Sequence, residues 1–150
     1  MHSIERVTEA DLPELLPLMR GYCDFYNVSP TDEALLTLSR TLLENPAHGG
    51  VQLIARNADD GAAIGFATIY WSWSTSSAAR IGVMNDLYVT DSARGRGLAD
   101  ELIAGCTAQC VTRGAVELEW CTAPDNYRAQ SVYDRIGGRR ERWINYSLPT

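Results

Sequence analysis

Two glycines one residue apart, Gly95 and Gly97, lie between a strand-like run, Asn85-Asp86-Leu87-Tyr88-Val89, and a long helical pattern that opens at Leu98. Glycine lets backbone approach a ligand closely, and the first N–H groups of a helix point outward at the positive end of its dipole. The run Arg94-Gly95-Arg96-Gly97-Leu98-Ala99 therefore has the parts of a phosphate cradle. It is also a near miss of the dinucleotide fingerprint G-x-G-x-x-G, with Glu117 at 20 residues past Gly97. Against that, Asp100 stands where the third glycine belongs, and too little chain follows for repeated βαβ units. The plainer reading of an isolated Gly-x-Gly is a turn that starts a helix, so this motif alone leaves function undecided.

A second block follows in the next helical segment: Asn126, Ala129, Tyr133 and Gly137, with Arg128-Ala129-Gln130-Ser131 between its outer members. In order and separation the two blocks resemble the GNAT superfamily of acyl-CoA N-acetyltransferases. Its Arg/Gln-x-x-Gly-x-Gly/Ala motif is met by Arg94, Gly97 and Ala99, and its downstream pattern by Asn126, Ala129, Tyr133 and Gly137. The resemblance covers roughly residues 50–148, with a compatible two-helix front end. Within the superfamily, residues 85–89, Trp120-Cys121-Thr122 and the run at 126–130 look like the small fungal acetyltransferases that act on histones, polyamines or D-amino acids. The spermidine/spermine acetyltransferases share the layout more distantly. In those polyamine enzymes a glutamate precedes the aspartate that corresponds to Asp86, whereas here that position is Asn85.

The resemblance implies a mixed α/β GNAT fold, a twisted sheet of six to seven strands flanked by about four helices. It implies acetyl-CoA as co-substrate, without a metal. Backbone N–H groups of Gly95, Arg96, Gly97, Leu98 and Ala99 would hold the CoA pyrophosphate, with charge from Arg94 or Arg96. The thioester carbonyl would lie against the backbone of Leu87, Tyr88 and Val89, and Asn126, Arg128 and Ala129 would line the pantetheine arm. Tyr133 would be the general acid. The leaving thiolate has a reference pKa of about 8.5 and a phenol one of about 10, so tyrosine can deliver a proton as the C–S bond breaks. Without the resemblance, Tyr133 reads as a helix residue whose hydroxyl finds a polar partner at the core edge.

An acceptor amine is mostly protonated at neutral pH, so a group must take its proton before nitrogen attacks. Asp86 and Glu119 are the candidates, as bases or as anchors for a cationic acceptor. Asp86 reads equally well as a solvated or capping carboxylate. Tyr22, Phe25, Tyr26, Trp71, Trp73, Trp120 and Trp143 supply ample aromatic surface. From these, Tyr26, Trp73 and Trp120 are candidates for a cation–π wall beside the acceptor, with core or dimer packing as the bland alternative for each.

These groups need a scaffold. Residues 3–8 read as a first strand, followed by a helix capped by Asp11 with Glu14 and carrying Leu12, Leu15, Leu16, Met19 and Cys23 at helical spacing. Thr31 or Asp32 caps a second helix with Leu35, Leu38 and Leu42 on one stripe, ending before Asn45-Pro46. From Val51 the period becomes two, and 51–56, 62–73 and 81–89 read as an antiparallel meander. A helix from Leu98 to near Gly114, a strand over 115–121, a helix from Pro124 through Ile136 and a final strand over 140–148 complete one domain, residues 1–150.

Composition limits the partners. The chain has 150 residues with a formal net charge of −6, and no basic block collects along any element. Nucleic acid and membrane surfaces are therefore not expected. Cys106 and Cys110, four apart on one helix, read as core residues rather than metal ligands. The unpaired cysteines and the lack of a signal peptide point to the cytoplasm. The favoured activity is transfer of acetyl to a primary amine of a small molecule, in a chain for which the resemblance allows a homodimer. Alternatives are acetylation of a protein N-terminus or lysine and a non-catalytic acyl-CoA-binding module; a toxin acetylating aminoacyl-tRNA ranks last, since RNA binding calls for a basic face.

Overall fold

In the computed structural model, which describes residues 2–150, the chain runs β1 (His2–Arg6), α1 (Leu12–Phe25), α2 (Asp32–Glu44), β2 (Gly50–Asn57), β3 (Ala63–Ser74), β4 (Ala79–Val89), α3 (Leu98–Thr112), β5 (Leu118–Glu119) and α4 (Tyr127–Arg135). The strands form one sheet in the order β1-β2-β3-β4-β5, antiparallel throughout except for the parallel pair β4 and β5. Because side chains alternate along a strand, the sheet has two apolar faces. One packs Leu53, Ala67, Ile69 and Met84 with Leu98, Leu102, Cys106 and Cys110 of α3. The other packs Ile54 and Phe66 with Leu15, Met19 and Cys23 of α1 and Leu35 of α2.

Local chemistry accounts for most boundaries. Thr31 starts α2 by accepting a hydrogen bond from Ala34 N–H at 3.1 Å, and α2 ends ahead of Asn45-Pro46 as the restriction before proline requires. The start of α1 differs from expectation. Asp11 does not cap with Glu14; its carboxylate reaches back to the Thr8 N–H and hydroxyl, both at 2.8 Å, and closes a short 3-10 turn over Glu9–Asp11. Asp11 is drawn that way because Arg56 of β2 holds it at 2.7 Å while also holding Glu14 at 2.8 Å.

The sheet has five strands, not six to seven. The strand expected over 115–121 is reduced to Leu118–Glu119, and residues 140–148 pair with nothing. Among the described residues, 139–150 join no sheet, and Trp143, Ile144, Tyr146 and Leu148 are each at least 80% exposed. Alternation assigns the two faces of a strand but supplies no neighbour to hydrogen-bond with.

Arg56 ties the sheet to α1 and also donates to the Gly61 carbonyl at 3.0 Å. Its side chain is 17% and that of Asp11 20% exposed, so truncation leaves the Asp11 carboxylate without its cation in a partly desolvated place. Arg56→Met should cost about 2 kcal/mol of unfolding free energy at neutral pH, read by urea denaturation. Burial acts to raise the Asp11 carboxyl, but Thr8 and Arg56 together hold it below its ordinary value of 3.8. Its contribution is thus present above that value and is lost as pH falls below it, so the wild-type advantage should shrink on acidification.

Candidate active site at a split between two strands

The parallel pair is short: Gly82 aligns with Leu118 and Val83 with Glu119, and there the pairing ends. On its other edge β4 continues against β3 as far as Val89 opposite Gly65. From Met84 to Val89 one edge of β4 is therefore unpaired, and the chain leaving β5 no longer follows it. A bulge shapes that edge. Thr68 faces Asp86 and Ile69 faces Met84, so Asn85 is an extra residue on β4. Before it, Gly82 N–H donates to Glu117 O on the β5 side; after it, Thr90 N–H donates to Ile64 O on the β3 side. Strand N–H groups alternate in direction, so the inserted residue reverses the parity and turns the N–H groups of Leu87 and Val89 to the open edge.

Beyond the strand, Arg94 donates from Nε to the Val89 carbonyl at 3.1 Å and pairs with Asp91. That anchors the loop to the strand end. Gly95 and Gly97 both have φ of +79°, a region where a side chain costs about 1–2 kcal/mol. A Cβ on either would project into open space, so backbone conformation and not crowding requires glycine here. The turn runs straight into α3, whose first N–H groups, those of Leu98 and Ala99, have no partner within the helix, an end suited to phosphate oxygens. The Leu98 side chain is buried beneath it, so that residue offers only backbone to a ligand. Arg96 is exposed at the tip.

Asn126 caps α4 by accepting from Ala129 N–H at 3.2 Å. Arg135 of α4 grips Asp100 of α3 through both carboxylate oxygens, at 2.6 and 2.9 Å, an exposed link between the two helices. Arg128 stands exposed on the first turn of α4. Tyr133, half-buried on the same helix, packs edge-on against Trp120 with ring centroids 5.3 Å apart. Both join the α3 face of the sheet. Burial, with a smaller contribution from the Tyr26 phenol, raises the Tyr133 pKa above its ordinary value of 10.0 and keeps the phenol protonated at neutral pH.

Asp86 belongs to the opposite face. It is 8% exposed, receives Asn85 Nδ2 at 2.9 Å, and has the Thr68 and Tyr22 hydroxyls beside it. Burial pushes its carboxyl above the ordinary 3.8, and hydrogen bonding from Thr68, Asn85 and Tyr22 offsets part of the rise. Thr68 in turn accepts from Gln52 Nε2 at 3.1 Å. Tyr70, next but one to Thr68 on β3, is pushed up to about 12 by burial and by the charge on Asp86. Tyr22 donates to the Asn85 carbonyl at 3.2 Å and stacks on Tyr26 at 4.9 Å. A Cβ on Gly21 would come within 2.7 Å of the Tyr88 ring, so glycine there lets α1 lie close over β4 and bring Tyr22 to the site. An open strand edge thus separates the Tyr133 phenol on one face from the Asp86 carboxylate on the other.

Comparison with known proteins agrees with this geometry. The family model described as Acetyltransferase (GNAT) family matches residues 15–138. The chain belongs to the GNAT acetyltransferase family. A Bacillus subtilis (strain 168) protein, the uncharacterized N-acetyltransferase YhfO, is 29% identical over 147 residues, 97% of this chain and 96% of that one. The D-amino-acid N-acetyltransferase HPA3 of Saccharomyces cerevisiae is 29% identical over 115 residues, 77% of this chain and 70% of that one. Among solved structures, a probable acetyltransferase superposes with a TM-score of 0.86 at 30% identity, covering 99% of this chain and 97% of that chain. The aminoglycoside N-acetyltransferase AAC(6')-Iy in complex with CoA shares the fold with a TM-score of 0.86 at 24% identity, covering 100% and 96%. This GNAT chain is accordingly an acyl-CoA-dependent N-acetyltransferase.

Not every residue expected from sequence comes to the GNAT cleft. Asp86 is not the solvated or capping carboxylate of the plain reading, because the bulge and α1 bury it. Glu119, on the exposed surface of β5, is aligned with Val83, three residues before Asp86. Trp73 is separated from the others: it lies five residues past Thr68 on β3, roughly 17 Å along the strand, paired with Arg80 and 75% exposed. The buried tryptophan of that strand, Trp71, donates to the Pro46 carbonyl at 2.9 Å with the Arg80 guanidinium over its ring. Trp120 backs Tyr133 from within the α3-face cluster, and Tyr26 stays at the rim, 47% exposed. Thr68, Asn85 and Tyr70 were not among the expected site residues. Their one sequence signal is Gln52 and Thr68, polar residues inside apolar strands, which is where a buried polar group needs a partner.

Proposed function

We propose that this GNAT enzyme transfers acetyl directly from acetyl-CoA to a primary amine of a small molecule. The single observation that carries the reading is the split between β4 and β5, with Tyr133 on one side and Asp86 on the other. Acetyl-CoA approaches from the α3 and α4 side: the N–H groups from Gly95 to Ala99 take the pyrophosphate, Arg96 adds charge, and Asn126, Arg128 and Ala129 flank the pantetheine arm. The thioester carbonyl meets Leu87 N–H, which stabilises the oxyanion as the carbon becomes tetrahedral. The amine enters from the α1 side. Asp86 anchors the ammonium and takes one proton, directly or through water; nitrogen bonds to the carbonyl carbon; the C–S bond breaks; Tyr133 protonates the departing thiolate; and the second proton that nitrogen loses restores the phenol through water. Glu119 is the weaker base candidate, since it lies on the exposed surface of β5, aligned with Val83 and not with Asp86.

The test is release of free CoA thiol across polyamines, L- and D-amino acids, aminoglycosides and a histone-tail peptide, beside a control without acceptor. Activity on one class of small amine supports the proposal. Acetylation of the peptide alone would move the acceptor to a protein amine, and acetyl-CoA binding without turnover on any amine would reduce the chain to a binding module.

The pH profile tests Asp86 separately. With the ammonium form of the acceptor, kcat/KM should fall as pH drops through the Asp86 pKa, which burial holds above 3.8. Asp86→Asn should remove that limb and lower kcat/KM at neutral pH. No loss assignable to Tyr133 should occur until pH exceeds 10.0, because its pKa lies above that value.

A further inference from the structure

Asp86 is a buried carboxylate with no cation of its own. None of the nine ion pairs among the described residues involves it, and the polar groups beside it, Thr68, Asn85 and Tyr22, are all neutral. The chain contains no lysine, so every fixed positive side chain is an arginine. On the α1 side these are committed elsewhere. Arg20, two residues before Tyr22, gives its guanidinium to the Pro30 carbonyl and Asp32. Arg40 pairs with Glu9, and Arg56 with Asp11 and Glu14. Arg6 lies on β1, three strands across the sheet from β4, and Arg80 donates to the Ala47 carbonyl. The remaining arginines, from Arg94 onward, belong to the loop before α3, to the turn that follows it, to α4 and to the chain after that helix.

A buried charge without a partner is costly, and an incoming ammonium is the complement this pocket lacks. A carboxylate on the same carbon as that ammonium has no such complement. It would come within a few ångströms of Asp86 in a partly desolvated pocket, with phenols around it and no guanidinium to receive it. We infer that the acceptor site selects primary amines with no carboxylate on the amine-bearing carbon, and that the unpaired Asp86 is the residue that discriminates against α-amino acids. The inference rests on the amine-acetyltransferase reading above and separates this chain from the D-amino-acid activity in the name of one relative.

The experiment compares matched pairs: phenethylamine with D- and L-phenylalanine, tyramine with D- and L-tyrosine, and putrescine with D- and L-ornithine. Within each pair that turns over, the amine without the carboxylate should have a kcat/KM higher by about tenfold or more. Asp86→Asn should bring that ratio toward one even as it lowers the absolute rate. Equal rates within pairs, or preference for the amino acid, would overturn the selectivity while leaving the acetyltransferase reading intact. A ratio unchanged in Asp86→Asn would overturn the role given to Asp86. Absence of turnover with every amine, in a protein that binds acetyl-CoA, would instead overturn the reading on which the inference rests.

Discussion

Replacing Tyr133 by phenylalanine should lower kcat by about a hundred- to ten-thousand-fold, the range expected for loss of a positioned proton donor, and leave acetyl-CoA affinity within about twofold of wild type. The split between the two parameters follows from where the ring and its hydroxyl sit. The ring packs edge-on against Trp120 at 5.3 Å, a contact that phenylalanine keeps, so α4 and the residues proposed to flank the pantetheine arm should be undisturbed. Among the described residues the phenolic oxygen makes no side-chain hydrogen bond, so its removal leaves no stranded partner and melting should shift little. Steady-state release of CoA thiol gives kcat, and equilibrium binding of acetyl-CoA gives the affinity. Turnover within a few-fold of wild type would mean that water or another group protonates the thiolate.

The second large effect falls on the cradle. Gly97→Val should weaken acetyl-CoA binding by about thirtyfold or more while costing about 1–2 kcal/mol in stability, the penalty for a left-handed side chain. Gly97 holds φ at +79°, and a Cβ there would meet nothing within 4 Å, so on the proposed binding mode such a side chain would stand where the pyrophosphate approaches. Gly114 provides the control. It closes the other end of α3 at φ of +69°, also with open space around a Cβ, so Gly114→Val carries comparable backbone strain away from the cradle. Calorimetric titration with CoA should separate the two: Gly114→Val should bind as wild type does, and Gly97→Val should not. Equal affinity in both variants would remove the cradle from the binding site.

Short-range geometry accounts for everything that could be read along the chain. Left-handed backbone at Gly95 and Gly97 is open to those residues, the cap at Thr31 depends on a side chain reaching three residues along, and the meander from β2 to β4 follows from alternation and turns; α4, expected from Pro124, instead starts after the Asn126 cap. The two spaced motif blocks carried the GNAT assignment because the cradle and the α4 helix are each continuous in the chain. The remainder waited on the folded arrangement, since pairing and burial depend on residues distant in sequence. The bulge at Asn85, visible only against β3, reverses which N–H groups face the cleft, and α1 laid over β4 turns Asp86 from a surface candidate into an enclosed carboxylate. The same long-range pairing left Glu119 on an exposed strand two residues long, carried Trp73 down the hairpin away from the site, and gave residues 140–148 no partner despite their alternation. A period specifies which side chains share a face; only a neighbouring strand or helix specifies what that face meets.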